Sequence, residues 1–208
     1  SRRLLDRAAA SNPDHPKIRG MHYLLSSLRG DRENAIRYLE ELRALDPMTM
    51  STHYALGQQF MMAGRLEEAE QSMRSAVRLS PGGSGAHFYL AVTLLLQGRH
   101  EEALREIELE SRPGYRHTGR ALVYETIGDS VRASEELDKV IEIGDRWTYQ
   151  IAAVHAYFTE PAEAIYWLER ANDRSDTSLA MISSDPFMDN IRDDPRFVEI
   201  EKIVTGGN

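Results

Sequence analysis

Apolar residues recur along the chain at helical spacing, and each apolar run ends at a glycine or a proline. One run, between residues 52 and 63, consists of Leu56, Phe60 and Ala63. A second run follows directly and consists of Ala69, Met73, Ala76 and Leu79. Both runs have the three- and four-residue steps of one face of an α-helix. Gly64 between them predicts a left-handed stop, and Pro81 ends the second helix.

This helix–turn–helix pattern returns with a period of 34 residues. The residues that keep the period are Pro13, Pro47, Pro81, Gly30, Gly64, Gly98, Ala35, Ala69 and Ala103. Later units are shorter, since 30 residues separate Ala103 from Ala133 and 31 separate Ala133 from Ala164. A fixed period of this length is typical of stacked helical repeats. We therefore predict an all-α fold built from helix pairs.

Helix-starting residues lie where this pattern requires them. Asp31 and Asp129 follow glycines and predict N-caps, because a carboxylate accepts hydrogen bonds from the free N–H groups of a first turn. Pro161 suits a first helical position, where its missing N–H has no partner in any case. Aspartate–proline pairs at 185–186 and 194–195 predict two short capping helices in the tail.

These motifs resemble the tetratricopeptide repeat family. The unit that matches best contains Leu56, Gly57, Phe60, Ala69, Met73, Ala76 and Pro81, and the next contains Leu90, Ala91, Leu94, Ala103 and Ile107. Small residues on facing helices let the two axes approach closely and fix a hairpin. The resemblance implies a right-handed superhelical α-solenoid of antiparallel helix pairs with C-terminal capping helices.

The resemblance also implies a division of the chain. We expect an array over 1–174 and a C-terminal capping segment over 175–208 that packs on the array. Within the array we expect a half repeat at 1–14, then repeats at about 16–49, 50–83, 84–113, 114–144 and 145–174. The half repeat leaves an open apolar end, so we expect a further repeat upstream in the full-length protein.

Some residues depart from the family pattern, and the tail has a resemblance of its own. His53, His87 and His117 stand where the family favours tryptophan, Glu110 replaces a late alanine, and Arg120 stands where earlier units have leucine. These departures place the packing of the fourth unit in question. Residues 145–204 resemble the ends of repeat arrays that follow winged-helix, nucleotide-cyclase or kinase domains in bacterial signalling proteins.

Tetratricopeptide proteins hold peptides or partner helices on a concave surface formed by the first helix of each repeat. The resemblance, carried over by register, assigns groove positions to this chain, spaced i, i+4 and i+7 on each first helix. The partner-binding residues predicted in this way are Tyr54, Gln58, Met61, Phe88, Val92, Leu95, Leu122, Glu125, Tyr149 and Ala153, with Thr118 and Ala156 at the remaining positions. This mostly apolar set predicts a groove for a hydrophobic peptide or an amphipathic helix.

Three alternatives stay open for these apolar positions. They pack under a segment of the same chain, they form a homodimer interface, or they enclose a small ligand in a sensory or regulatory domain. The lysine and asparagine clamp that other family members use for a peptide carboxylate is not expected, because the corresponding positions hold Tyr54 and Gln58.

Composition and charge restrict the partners. The chain has 208 residues, 41% of them apolar, and a net charge of −8, which argues against nucleic-acid binding by this segment. Its longest apolar stretch is too short for a membrane span, so we expect no membrane contact and a cytoplasmic protein. The absence of cysteine excludes thiol catalysis and every cysteine-ligated metal site.

No constellation of residues predicts an active site. His53, His87 and His117 recur at equivalent positions on successive helices, too far apart to share one metal ion, and are interpreted as packing residues with half-buried rings. Carboxylate pairs such as Glu67 and Glu68 lie at helix starts, where they complement the helix dipole. We therefore predict a non-catalytic interaction module with no cofactor and no metal, which forms part of a larger bacterial signalling protein.

Overall fold

A computed structural model describes residues 15–83 and 85–205 of the chain. The half repeat predicted at 1–14 lies outside the described residues. The described residues contain α-helices, short 3-10 helices and no strand, which confirms the predicted all-α fold. The chain divides into two compact units, residues 1–81 and 82–208.

The first unit contains four α-helices in its described part. They are α1 (Pro16–Leu28), α2 (Arg32–Leu45), α3 (Met50–Met62) and α4 (Leu66–Leu79). Helices α1 and α2 pack as one pair and α3 and α4 as the next, and α2 also contacts α3. This is the stacked helix-pair arrangement that the 34-residue period predicts.

The second unit continues with helix pairs and ends in a less regular tail. Its pairs are α5 (Ala86–Leu96) with α6 (His100–Glu108), α7 (Pro113–Thr126) with α8 (Ser130–Ile143), and α9 (Thr148–Tyr157) with α10 (Pro161–Asp173). A 3-10 helix, η1 (Asp145–Trp147), precedes α9. The tail contains the 3-10 helices η2 (Thr177–Met181) and η3 (Pro186–Ile191) and the helix α11 (Pro195–Thr205).

The predicted helix stops and caps are confirmed. Backbone φ is positive at each glycine stop, with +69° at Gly30, +71° at Gly64, +76° at Gly98 and +81° at Gly128. Asp31 accepts from the N–H of Asn34 and Asp129 from that of Arg132. In the tail, Asp185 caps η3 and Asp194 accepts from the N–H of Arg196 at the start of α11.

Close approach of paired helices depends on small residues. A Cβ atom added to Gly57 would lie 2.7 Å from Met73 Cγ and Cε, so the Met73 side chain of α4 packs directly against the backbone of α3 and would have to shift for any larger residue. Ala69 and Ala103, on α4 and α6, are fully buried. The small residues of the repeat pattern therefore have the packing role that the sequence predicts.

Candidate functional site: the first-helix faces

The predicted groove positions differ in exposure between the units. In the first unit, Tyr54 and Gln58 are partly exposed on α3, whereas Met61 is buried. In the second unit, Glu125 is partly exposed. The remaining second-unit positions are at most 6% exposed, namely Phe88, Val92, Leu95, Leu122, Tyr149 and Ala153. In the second unit these side chains are therefore part of the buried core and do not line an open apolar groove.

The face of α9 is covered by the tail of the same chain. Helix η3 packs against α9. The Tyr149 hydroxyl donates to Asp185 Oδ2 at 2.8 Å, and the rings of Tyr157 and Phe187 meet edge to face at 5.2 Å. Asn190 Nδ2 donates to the carbonyl of Ala156 at 3.2 Å. Of the alternatives left open by the sequence, cover by a segment of the same chain is the arrangement present on α9.

Asp185 links the tail segment to α9 and also organises the segment itself. Its Oδ1 accepts from the N–H of Phe187 at 3.0 Å, and its carbonyl accepts from Arg192 Nη2 at 2.8 Å. Burial raises the pKa of the Asp185 carboxyl, and burial next to that carboxyl raises the pKa of Tyr149 well above its usual value. The sequence pattern predicted Asp185 as a cap but gave no signal for its contact with Tyr149, 36 residues away.

Aromatic rings connect α5, α7 and η1 within the second unit. Phe88 stacks on Tyr115 with ring centroids 4.7 Å apart, and Tyr115 meets Trp147 edge to face at 4.8 Å. The Tyr89 hydroxyl lies 3.9 Å from the Met181 sulfur in the tail. Phe88, a predicted groove residue, thus packs on the next repeat. The aromatic residues that hold it there, Tyr115 and Trp147, were not singled out from the sequence.

In the first unit, α1 presents an exposed apolar side chain at a groove position. Leu24 lies 34 residues before Gln58 and is therefore its counterpart in the preceding repeat. The residue is 54% exposed. Leu24, Tyr54 and Gln58 are named here the first-unit face. Leu24 was not among the predicted residues, although the 34-residue period would have identified it.

The histidines at the tryptophan position are held by glutamates of the paired helix. His87 Nδ1 lies 2.9 Å from Glu106 Oε2, and His117 Nδ1 lies 2.6 Å from Glu136 Oε2. Both pairs are separated by 19 residues in the sequence. His87 is buried and His117 half-buried, and the described residues contain no cluster of acidic or histidine side chains suited to a metal ion. The sequence pattern predicted these rings as packing residues but not their glutamate partners, although the 19-residue spacing recurs in both hairpins.

Glu110 and Arg120, two departures from the family pattern, both form specific interactions. Glu110 is only 1% exposed, and its Oε2 accepts from the N–H groups of Gly85 at 3.0 Å and Phe88 at 3.3 Å. It therefore caps α5, whose N-cap glycine has no side chain to do so. Arg120 donates through both Nε and Nη2 to the Glu108 carboxylate, which ties α7 to α6.

A cavity of about 730 Å³ opens elsewhere in the second unit, beside Trp147. Its lining includes Arg112, Arg146 and Arg174, one aspartate, Asp176, and several uncharged polar residues. Asp176 is engaged within the fold, because its Oδ2 accepts from Thr148 and its Oδ1 from the N–H of Ser178. The cavity was not predicted from the sequence.

Two tetratricopeptide repeat models match the chain, one over residues 29–84 and one over 60–109. The matched residues include the hairpins with glycine stops at Gly30, Gly64 and Gly98. Residues 29–109 of the chain match the tetratricopeptide repeat family. The resemblance predicted from the sequence is therefore confirmed at the level of this family. Arrays of such repeats typically serve as interaction scaffolds without catalytic activity, and they bind protein or peptide partners on extended surfaces.

Solved structures share the fold of this chain at low sequence identity. A tetratricopeptide repeat protein from Parabacteroides merdae ATCC 43184 is 17% identical with a TM-score of 0.68, over 96% of this chain and 75% of that one. A thermophilic one from Thermus thermophilus is 15% identical with a TM-score of 0.63, over 84% and 99%. YrrB, described as having an unusual peptide-binding site, is 19% identical with a TM-score of 0.53, over 86% and 96%.

No curated protein matches the sequence. Among residues 15–83 and 85–205, no helix combines the length and the apolar character needed to cross a bilayer.

Proposed function

We propose that this tetratricopeptide repeat protein is a non-catalytic interaction module that binds an apolar segment of a protein partner, a hydrophobic peptide or an amphipathic helix, on its first-unit face. The observation that carries the proposal is the contact between α9 and the tail. Helix α9, which carries the groove positions Tyr149 and Ala153, already holds a short apolar segment of the chain itself, and Phe187 on that segment is in ring contact with Tyr157.

The tail contact indicates the kind of segment such a face accepts. The segment supplies apolar side chains at Phe187, Met188 and Ile191, all at most 5% exposed. Polar contacts at its edge fix its position, through Asp185 to the Tyr149 hydroxyl and through Asn190 to a backbone carbonyl at the end of α9. Apolar anchors with a few positioned hydrogen bonds are the usual features of peptide recognition by helical grooves.

The first-unit face has the corresponding chemistry at accessible positions. Leu24 supplies an exposed aliphatic anchor, Tyr54 an aromatic ring with a polar tip, and Gln58 an amide that both donates and accepts hydrogen bonds. The resemblance of residues 145–204 to bacterial signalling proteins suggests that the partner is a component of a regulatory system. Homodimerisation through the same face is the second candidate, and it is an outcome of the test below.

The test uses the full chain and a synthetic peptide with the sequence of residues 181–193, compared with a scrambled peptide of the same composition. We expect the wild-type chain to bind the native peptide more tightly by calorimetry, and a Leu24→Ser/Tyr54→Ser variant to lose about fivefold or more in affinity. A Met48→Ser variant is the matched control, because Met48 is apolar, 72% exposed and outside the groove positions. Phe88 and Leu95 are unsuitable for this test, since they are buried and their replacement would report on folding.

Three results would contradict the proposal. The scrambled peptide could bind equally well, the Leu24→Ser/Tyr54→Ser variant could bind as wild type does, or the Met48→Ser variant could lose as much affinity. Light scattering of the same samples at high micromolar concentration distinguishes a partner site from self-association. A dimer that the Leu24→Ser/Tyr54→Ser change dissociates would replace the partner proposal with the homodimer.

A further inference from the structure

The cavity beside Trp147 is positively charged in a chain whose net charge is −8. Arg112 precedes α7, Arg146 lies in η1, and Arg174 follows α10, so three separate connections bring guanidinium groups to one opening. Among the described side chains, Arg112 and Arg146 form no ion pair. Guanidinium groups bind carboxylates through two parallel hydrogen bonds, and arginines collected from separate loops therefore favour an anionic ligand.

Among the described lining residues, the single acidic one, Asp176, is not available to pair with these arginines. Both carboxylate oxygens of Asp176 accept hydrogen bonds from the cavity wall, one from Thr148 Oγ1 at 3.1 Å and one from the N–H of Ser178 at 2.9 Å. Those bonds hold the start of η2 against α9. The Asp176 carboxylate is therefore engaged in hydrogen bonds within the cavity wall. The described lining contains three arginines and this one aspartate, so its net charge is positive.

A buried polar side chain also lacks a partner in this cavity. Gln150 lines the cavity and is only 7% exposed, yet its amide makes no hydrogen bond within the described part of the chain. An amide that lines a cavity and has no partner within the fold is available to water or to a ligand. Because the glutamine amide both donates and accepts, it matches the N–H and C=O of a peptide group.

The walls of the cavity are rigid and aromatic. Trp147 packs directly on the backbone of α7, since a Cβ atom at Gly114 would collide with its ring. Tyr115 meets the same ring edge to face. A cavity of about 730 Å³ falls within the ordinary range for ligand sites of roughly 300–1,000 Å³ and exceeds the space that one small ion needs.

We propose that this cavity binds a short acidic peptide segment, with carboxylates held by Arg112 and Arg146 and the peptide backbone held by Gln150. The site is separate from the first-unit face and has the opposite chemistry, charged rather than apolar.

The test uses Trp147 as its own reporter. The chain contains two tryptophans, so a Trp167→Phe background leaves Trp147 as the only one. The probe is a hexaglutamate peptide with blocked termini, and hexaglutamine and inorganic phosphate are tested beside it. We expect hexaglutamate to change the fluorescence of Trp147 in a saturable manner and hexaglutamine to leave it unchanged.

Matched variants assign the binding to the cavity. Arg112→Gln/Arg146→Gln should weaken hexaglutamate binding about fivefold or more, as expected for the loss of two exposed charge pairs, and Gln150→Leu should weaken it without any change in net charge. Arg78→Gln/Arg105→Gln is the control, since it removes the same charge from exposed positions outside the lining. Circular dichroism verifies that each variant is folded.

Several outcomes would overturn the proposal. The Arg112→Gln/Arg146→Gln variant could bind as wild type does, its control could lose as much affinity, or phosphate alone could saturate the fluorescence change while hexaglutamate gives none. A Leu24→Ser/Tyr54→Ser variant should bind hexaglutamate normally. Failure of the acidic site and failure of the apolar face are therefore distinguishable.

Discussion

His117 and Glu136 join α7 to α8 through a hydrogen bond of 2.6 Å, and both groups lie largely inside the second unit. Lys139 Nζ donates to the other carboxylate oxygen at 2.7 Å, and Arg120 lies 3.7 Å away. His87 and Glu106 repeat the relationship one hairpin earlier, with the same separation of 19 residues. In the repeat before that, His53 instead contacts the carbonyl oxygen of Pro47 through Nε2 at 2.9 Å. The histidine–glutamate contact between paired helices therefore recurs in two successive hairpins.

Glu136 stabilises the fold most strongly above the ordinary carboxyl pKa. Burial raises the pKa of Glu136, but hydrogen bonds from Lys139 and His117 outweigh burial and leave it below its usual 4.5. A depressed folded-state pKa gives stability that is present above 4.5 and lost as the pH falls through the folded-state value. Glu136→Gln should therefore lower the free energy of unfolding at pH 7 by about 1–3 kcal/mol.

The difference between Glu136→Gln and wild type should shrink as the pH falls below 4.5, because only wild type has this carboxylate to protonate. Urea unfolding at about pH 7 and about pH 3.5 measures it. Glu135→Gln is the control, since this neighbour has the same chemistry and an exposed side chain, so its replacement should change stability little. A Glu136→Gln deficit that stays constant with pH would contradict the assignment.

Glu110 should be the most sensitive of the residues that depart from the repeat pattern. Its buried carboxylate accepts from the N–H groups of Gly85, Phe88 and Arg112, so its removal leaves buried donors without a partner. Loss of such a cap costs about 1–3 kcal/mol. We expect Glu110→Ala to lower the free energy of unfolding by that amount and Glu110→Gln, which keeps an acceptor, by less. Glu101→Ala serves as the control in urea unfolding, because its side chain is 95% exposed.

The local features of the fold could be predicted because their causes are local. Gly64 stops a helix through its own backbone freedom, and Asp129 caps one through groups three residues away. The contact between Tyr149 and Asp185 has no such signal, since it depends on how a tail 36 residues downstream folds back. Leu95 illustrates the consequence, because its register was predicted but its burial depends on the surrounding three-dimensional packing.

Gly57 and Gly20 should respond in opposite directions to the same substitution. A Cβ at Gly57 would lie 2.7 Å from atoms of the fully buried Met73, whereas a Cβ at Gly20 meets nothing within 4 Å among residues 15–83 and 85–205. Overpacking costs about 1–3 kcal/mol, and alanine in an open helix interior gains up to about 1 kcal/mol over glycine. Gly57→Ala should therefore lower the thermal midpoint and Gly20→Ala should raise it.

A second substitution tests the cause of the Gly57→Ala effect. Combining it with Met73→Ala removes the atoms that the new methyl group meets, so the two losses should be less than additive. Additive losses in the double-mutant cycle, or a Gly57→Ala variant as stable as wild type, would mean that the helices do not meet closely at this position.

Thr159 occupies the position of a glycine stop and should be improved by glycine. It has φ of +59°, where Gly30, Gly64, Gly98 and Gly128 stand in the earlier repeats. The N–H of Thr159 donates to Ala156 and that of Glu160 to His155, so the helix ends with the same hydrogen bonds as the earlier hairpins. A β-branched residue with positive φ is strained, at a cost of roughly 1–2 kcal/mol. Glycine relieves this strain, but its greater conformational freedom in the unfolded chain offsets part of the gain in stability. Thr159→Gly should therefore raise the free energy of unfolding by about 0.5–1 kcal/mol, because the exposed side chain makes no buried contact.

Gly98→Thr, the reverse change at an equivalent stop, should lower the free energy of unfolding by a similar amount in the same urea titration. If Thr159→Gly is less stable than wild type while Gly98→Thr is tolerated, the left-handed stop is not what limits stability at these turns.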